Sequence, residues 1–243
     1  MSIEAQLRNA APSWAALLAV RPDGVEWIVA PPLPSGSATP ATIVRVGADK
    51  RFLFVSERTP GEKLPQRCPE LHINPNSRFC LGRATYHVDR PAEVEAFWQA
   101  LGEYLVNQHH AARRRRWPAG RWLSHGSVAA DRQAEVEALA AAHGLDAEYA
   151  ACLENDEGWI AEKVRAGGRI TMGQECPRRC VDGDGELVPF RKCGRRPVLQ
   201  RILKLEMARR AAERSFFQAL ERRGISCCGR VDGCPLAHAR TKQ

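Results

Sequence analysis

The sequence predicts an α+β protein: a four-stranded antiparallel meander with helices packed on it, followed by a Cys-rich α-helical C-terminal extension. Three observations predict it. Short apolar runs alternate with turn residues over 13–57, helical periodicity takes over from Ala92, and the composition changes again after "RAGGR" at 165–169. The resulting division is 1–165 for the first domain and 170–243 for the extension.

The meander reads in two pairs. "WAALLAV" and "VEWIVA" flank "RPDG", a hairpin signal, and after the loop "PPLPSGSATPA" the runs "TIVRV" and "RFLFVSE" flank "GADK". One face of such a sheet is apolar and needs helices to cover it. Residues 58–90 then form a long loop holding Pro60, Pro65, Pro69 and Pro75. A loop of that length inside a compact domain points to function.

From Ala92 to about Arg115, Val94, Phe97, Trp98, Leu101, Tyr104, Leu105 and Gln108 follow helical spacing, with Gln108 the one polar member of the stripe. Pro118 and Gly120 end that helix. A second helix is expected over Asp131–His143, stopped by Gly144 and with Ser127 as a possible cap, and a third over 146–165. Val198 to about Arg223 contains no Gly or Pro and reads as one long helix.

No apolar run reaches the length of a membrane span, and "MSIEAQLRNAAPSW" does not have the pattern of a secretory signal. The expected location is the cytoplasm, where nine cysteines suggest catalysis or metal before disulfides. The net charge of +8 favours acidic partners, either a protein surface or nucleic acid, without choosing between them. Arg209, Arg210, Arg214, Arg222 and Arg223 give the long helix an Arg-rich face; Glu206, Glu213 and Glu221 offer intrahelical pairs as the plainer account.

The loop stretch "CPELHINPNSRFCLG" (68–82) concentrates the chemistry. A thiolate nucleophile needs access, a means of lowering its pKa, and donors for an oxyanion. Cys80 stands in the loop before the helix, and Asn74, six residues earlier, carries a neutral amide with two donor hydrogens. Cys68, His72 and Cys80 supply three of the four ligands that structural zinc takes. On spacing alone Cys80 can be nucleophile, ligand or buried thiol. Cys68 reads as a packed loop cysteine, and His125 in "LSHGS" as a loop residue able to approach the site.

The order of these elements resembles the ubiquitin-conjugating-enzyme (UBC) fold. In that family a His-Pro-Asn tripeptide precedes the catalytic cysteine; here "His72-Ile73-Asn74" precedes "Phe79-Cys80-Leu81-Gly82". The chain is more similar still to bacterial UBC-like proteins of ubiquitin-like conjugation and antiviral defence operons, which share the Cys-Leu-Gly ending and a Trp-Pro segment like "RRWPAGRWLSHG". The likeness covers roughly 12–150. Ile73 stands where the family has Pro, the His-to-Cys spacing is two residues shorter, and the N-terminal helix is short or missing.

The resemblance implies that Cys80 takes a ubiquitin-like or other protein C-terminus as a thioester from an activating enzyme and passes it to a lysine of a target. It assigns the oxyanion and loop-stabilising role to Asn74 and a structural role to His72. The other readings are an inactive UBC-like zinc-binding scaffold or nucleic-acid-binding protein, and a cysteine hydrolase with His72 or His125 beside Cys80.

In the extension, Cys176, Cys180, Cys193, Cys227, Cys228 and Cys234 fall within 59 residues, and structural zinc is the expected cofactor. A single helix over Val198–Arg223 is about 39 Å long, which keeps Cys193 and Cys227 from sharing a metal. The expected ligands are therefore Cys176 and Cys180 with two of Cys227, Cys228 and Cys234.

Overall fold

In the computed structural model the described residues are 2–118, 123–170, 186, 188 and 192–237. The chain forms two compact units, Met1–Pro118 together with Arg223–Gln243, and Ala119–Arg222. The long helix of the second unit thus leads back into the first.

The first unit contains α1 (Ile3–Asn9), β1 (Ala15–Arg21), β2 (Gly24–Val29), β3 (Thr42–Asp49), β4 (Phe52–Glu57) and α2 (Pro91–Arg114). The four strands are antiparallel in the order β1-β2-β3-β4, the expected meander. The first hairpin closes at Arg21 and Gly24. A Cβ at position 24 would sit 2.6 Å from the Val46 carbonyl oxygen, so glycine permits the close approach of β3 there.

Alternation puts Val25, Trp27, Val29, Val44, Val46 and Val55 in the core, and α2 supplies the cover. Val94, Phe97, Trp98, Leu101, Tyr104 and Leu105 of α2 are all buried, as their spacing requires. Trp98 meets Trp27 edge-on at 4.9 Å and donates its indole N–H to the Leu7 carbonyl, which anchors the seven-residue α1. Helix α2 starts at Pro91, a first-turn proline, and ends at Arg115 in the left-handed region.

The second unit is helical: α3 (Ser127–Ala142), α4 (Asp146–Asn155), α5 (Gly158–Arg165) and α6 (Arg196–Arg222). The single helix expected over 146–165 is two, because Asp156 turns left-handed (φ 56°) and Gly158 follows with φ 84°. Arg165 and Arg210 both bind the Asp156 carboxylate, and Glu148 accepts the Ile160 N–H near the start of α5. Gly126, not Ser127, is the N-cap residue of α3. The core joins Val136, Ala140, Leu145, Tyr149, Cys152 and Ile160 to Leu199, Ile202 and Leu203 of α6. Among the described residues, no helix is long and apolar enough to cross a membrane.

Two of the five arginines expected to present a basic face on α6 are held inside its own unit. Arg209 is 5% exposed and pairs with Glu206 and Glu213, while Arg210 pairs with Glu206 and Asp156. The glutamates at i+3 and i+4 spacing account for this. Burial works against the charge of Glu213, but hydrogen bonds from His125 and the positive charge of Arg209 hold its carboxyl down to about 2. Its stabilising contribution is therefore complete above the unfolded value near 4.5 and is lost as pH falls toward 2. Urea unfolding followed between pH 5 and pH 2 should show a loss of about 2–3 kcal/mol that Glu213→Gln removes from the pH profile.

Candidate active site

The loop after β4 is built on a buried carboxylate. Glu57 is 3% exposed and accepts the backbone N–H groups of Gly61, Lys63 and Leu64, which turns the chain back over the sheet. A 3-10 turn at Pro69–Leu71 follows, and His72 leaves it with a left-handed backbone (φ 53°). Its N–H donates to the Pro69 carbonyl at 2.6 Å.

From here the loop folds into a small hairpin. Cys68 and Ile73 exchange both backbone hydrogen bonds, at 3.1 and 2.9 Å, Ile73 bridges to Phe79, and the Asn74 N–H donates to the Arg78 carbonyl. The N–H of Cys80 then reaches the His72 carbonyl at 2.7 Å. On its other side the segment is hung from the edge of β4, with the Phe79 N–H donating to Val55 and the Leu53 N–H donating to Tyr86. The edge strand is thereby covered, and Cys80 has hydrogen-bonded backbone on both sides.

Ile73 explains its own departure from the tripeptide pattern. Its N–H donates to Cys68, a bond that proline cannot make, and its side chain is 1% exposed. Phe79, on the same buried side, stacks on Tyr104 at 4.7 Å. Alternation turns Asn74 and Cys80 away from these two: Asn74 is exposed and Cys80 half-buried. His72 is buried, with its ring 4.6 Å from that of Trp117. The Cys80 sulfur lies 3.9 Å from the Gly82 carbonyl oxygen.

Helix α2 holds the loop from below. The Tyr104 hydroxyl and the Gln108 amide both donate to the Leu71 carbonyl, and Gln108 also reaches the Tyr104 oxygen at 2.6 Å. Burial raises the Tyr104 pKa well above its ordinary value, so its hydroxyl keeps its proton. The polar break in the apolar stripe was the sequence signal for this anchor. Gln108→Leu leaves Leu71 with one donor in a buried setting and is expected to cost about 1–3 kcal/mol. Amide hydrogen exchange should quicken over residues 68–80 first.

Of the predicted metal residues, Cys176 and Cys180 lie outside the described residues. Cys227, Cys228 and Cys234 fall in the segment that follows α6, within the first unit. Cys228 shares a hydrogen bond with Cys68, sulfur to sulfur 2.8 Å. That bond raises the Cys68 thiol, with burial adding to the shift, and draws Cys228 down to about 6. Burial pushes Cys234 up to about 12. Among the described residues no group of three or more His, Cys, Asp and Glu side chains is placed to hold a metal ion. His125 belongs to the second unit, where its Nδ1 lies 3.1 Å from Glu213 and its ring packs against Phe217.

Residues 24–119 match the family model of a prokaryotic E2 domain. No curated protein and no solved structure matches the chain. The E2-like segment runs from β2 through α2 and includes Cys68, His72, Asn74 and Cys80. It is therefore the first unit that carries the likeness to conjugating enzymes, which work with ubiquitin-like modifiers and other proteins.

Proposed function

We propose that the protein is an E2-like acyl carrier that holds a ubiquitin-like (or other) protein C-terminus on Cys80 and delivers it to an amine. In the first step the Cys80 thiolate attacks the acyl carbon on an activating enzyme. The new S–C bond forms as the enzyme's own thiolate leaves. In the second, a target lysine amine attacks the Cys80 thioester, the N–C bond forms, and Cys80 departs as thiolate while the amine loses its proton to solvent. Neither step needs a metal.

The observation that carries this reading is the hairpin that holds Cys80 half-exposed, its N–H bonded to the carbonyl of the buried His72, with Asn74 exposed on the same loop. Asn74 suits the oxyanion because its amide donates without bringing a charge. His72 acts through its backbone, as the acceptor for the Cys80 N–H, and so shapes the loop. Thioester aminolysis draws most of its rate from holding amine and acyl carbon in register, which a rigid, twice-anchored loop supplies. The defining experiment is intact-mass analysis of the protein mixed with the activating enzyme and modifier of the same source. A protein adduct that dithiothreitol removes, and that Cys80→Ala abolishes, supports the carrier. No adduct with an activating enzyme shown to be competent sinks it in favour of an inactive scaffold.

A further inference from the structure

The segment after α6 brings a second set of sulfur atoms to the first unit. Ile225, Cys227, Val231, Cys234 and Leu236 are all buried, although no regular element runs through them. Polar contacts fix the segment in place. Arg115 donates to Asp232 at 2.7 Å and to the Gly229 carbonyl at 3.1 Å, the Asp232 N–H returns to the Arg115 carbonyl, and Arg230 donates to the Lys63 carbonyl at 2.6 Å. The segment therefore bridges the end of α2 and the start of the loop that holds Cys80.

At the centre of this contact Cys68 and Cys228, 160 residues apart in sequence, place their sulfurs 2.8 Å from one another. Two thiolates on a tetrahedral zinc would stand about 3.8 Å apart, given Zn–S bonds of about 2.3 Å. A disulfide needs about 2.05 Å. The pair lies between these two distances and is less than an ångström from bonding. Cys228 is partly open to solvent, whereas Cys68 is 1% exposed. An oxidant can reach one thiol, and the other waits behind it.

The geometry points to a dithiol modification site: Cys68 and Cys228 form a reversible disulfide that ties the C-terminal segment to the Cys80 loop. The oxidant is a peroxide. The Cys228 sulfur attacks one peroxide oxygen, the O–O bond breaks, and the products are a sulfenic acid and water. The Cys68 sulfur then attacks the sulfenic sulfur, the S–S bond forms, and a second water leaves with the Cys68 proton. Two thiols are oxidised and one peroxide is reduced, and a dithiol reductant reverses the step.

The consequence for the loop follows from connectivity. Cys68 exchanges both backbone bonds with Ile73, and Ile73 bridges to Phe79, the neighbour of Cys80. The bond would convert a non-covalent dock into a covalent one just behind Cys80, leaving the Cys80 thiol itself free. This site stands apart from the conjugation reading, because its chemistry is the same whether or not Cys80 ever carries an acyl group.

The test uses the full chain, treated with hydrogen peroxide and digested without reductant. Expected is a linked peptide pair containing Cys68 and Cys228, with a mass lower by two hydrogen atoms per chain, reversed by dithiothreitol, while Cys80 still takes an alkylating reagent. Cys68→Ser should abolish the link and leave Cys228 as sulfenic acid, trapped by dimedone. The unaltered chain is read first, so the outcome does not hang on the variant folding. A link from Cys228 to Cys227 or Cys234, no link at all, or a stoichiometric zinc in native mass that blocks oxidation would each overturn the proposal.

Discussion

Replacing Cys80 with serine is expected to lower acyl transfer by at least about a thousandfold, because an alkoxide is far harder to form near neutral pH than a thiolate. The loading step should be affected as much as delivery, since both begin or end at the same sulfur. Any adduct that does form on Cys80→Ser would be an oxygen ester and would survive dithiothreitol. Cys80→Lys should collect a stable amide-linked adduct instead, and its mass would report the modifier. The structure supplies the control. Cys80 is half-buried, its bond to the His72 carbonyl is made by its backbone N–H, and its sulfur makes a long contact to the Gly82 carbonyl, so both variants keep the bond to His72 and the neighbouring Phe79 bond to β4. Their unfolding midpoints should therefore stay within about 0.5 kcal/mol of the parent chain. Loss of transfer together with loss of stability would instead mean that Cys80 is a structural thiol.

What the sequence made legible is what short-range pattern controls. The hairpin signals and the apolar stripe of α2 place the sheet and its cover, because periods of 2 and 3.6 decide which faces are buried. His72, Asn74 and Cys80 were readable as a group because one loop carries all three. The break between α4 and α5 was not, since it depends on a left-handed Asp156 held by Arg165 and Arg210, the latter more than fifty residues away. The same holds for the approach of Cys228 to Cys68. Counting residues could say that a 26-residue helix separates Cys193 from Cys227, but not that the chain beyond the helix returns to the loop before Cys80. Arg209 is a mixed case: its pairing with Glu206 and Glu213 was open to the sequence as intrahelical spacing, but its burial beside the fully buried Glu206 was not.

Glu206→Ala is expected to be the most damaging single change in the second unit, costing about 3–5 kcal/mol. Glu206 is 0% exposed and accepts from Arg209 Nε at 2.6 Å, Arg209 Nη2 at 2.7 Å, Arg210 Nε at 2.7 Å and the Tyr149 hydroxyl at 3.1 Å. Its removal leaves the buried guanidinium of Arg209 with Glu213 and Ser124 as its remaining partners. Burial alone would lower the Arg209 pKa; the hydrogen bonds it donates to Glu206 and the negative charges of Glu206 and Glu213 outweigh it. The loss comes from stranding a charge, not from the absolute strength of the pair, since both ions were desolvated on folding. The double variant Glu206→Leu with Arg209→Met removes both charges and should therefore recover most of the stability that Glu206→Ala loses. Urea unfolding of the three chains separates the accounts. A double variant as weak as the single one would show that the network is needed for its geometry, with Tyr149 and Arg210 left without their acceptor. Recovery would show that the cost lay in the uncompensated charge of Arg209.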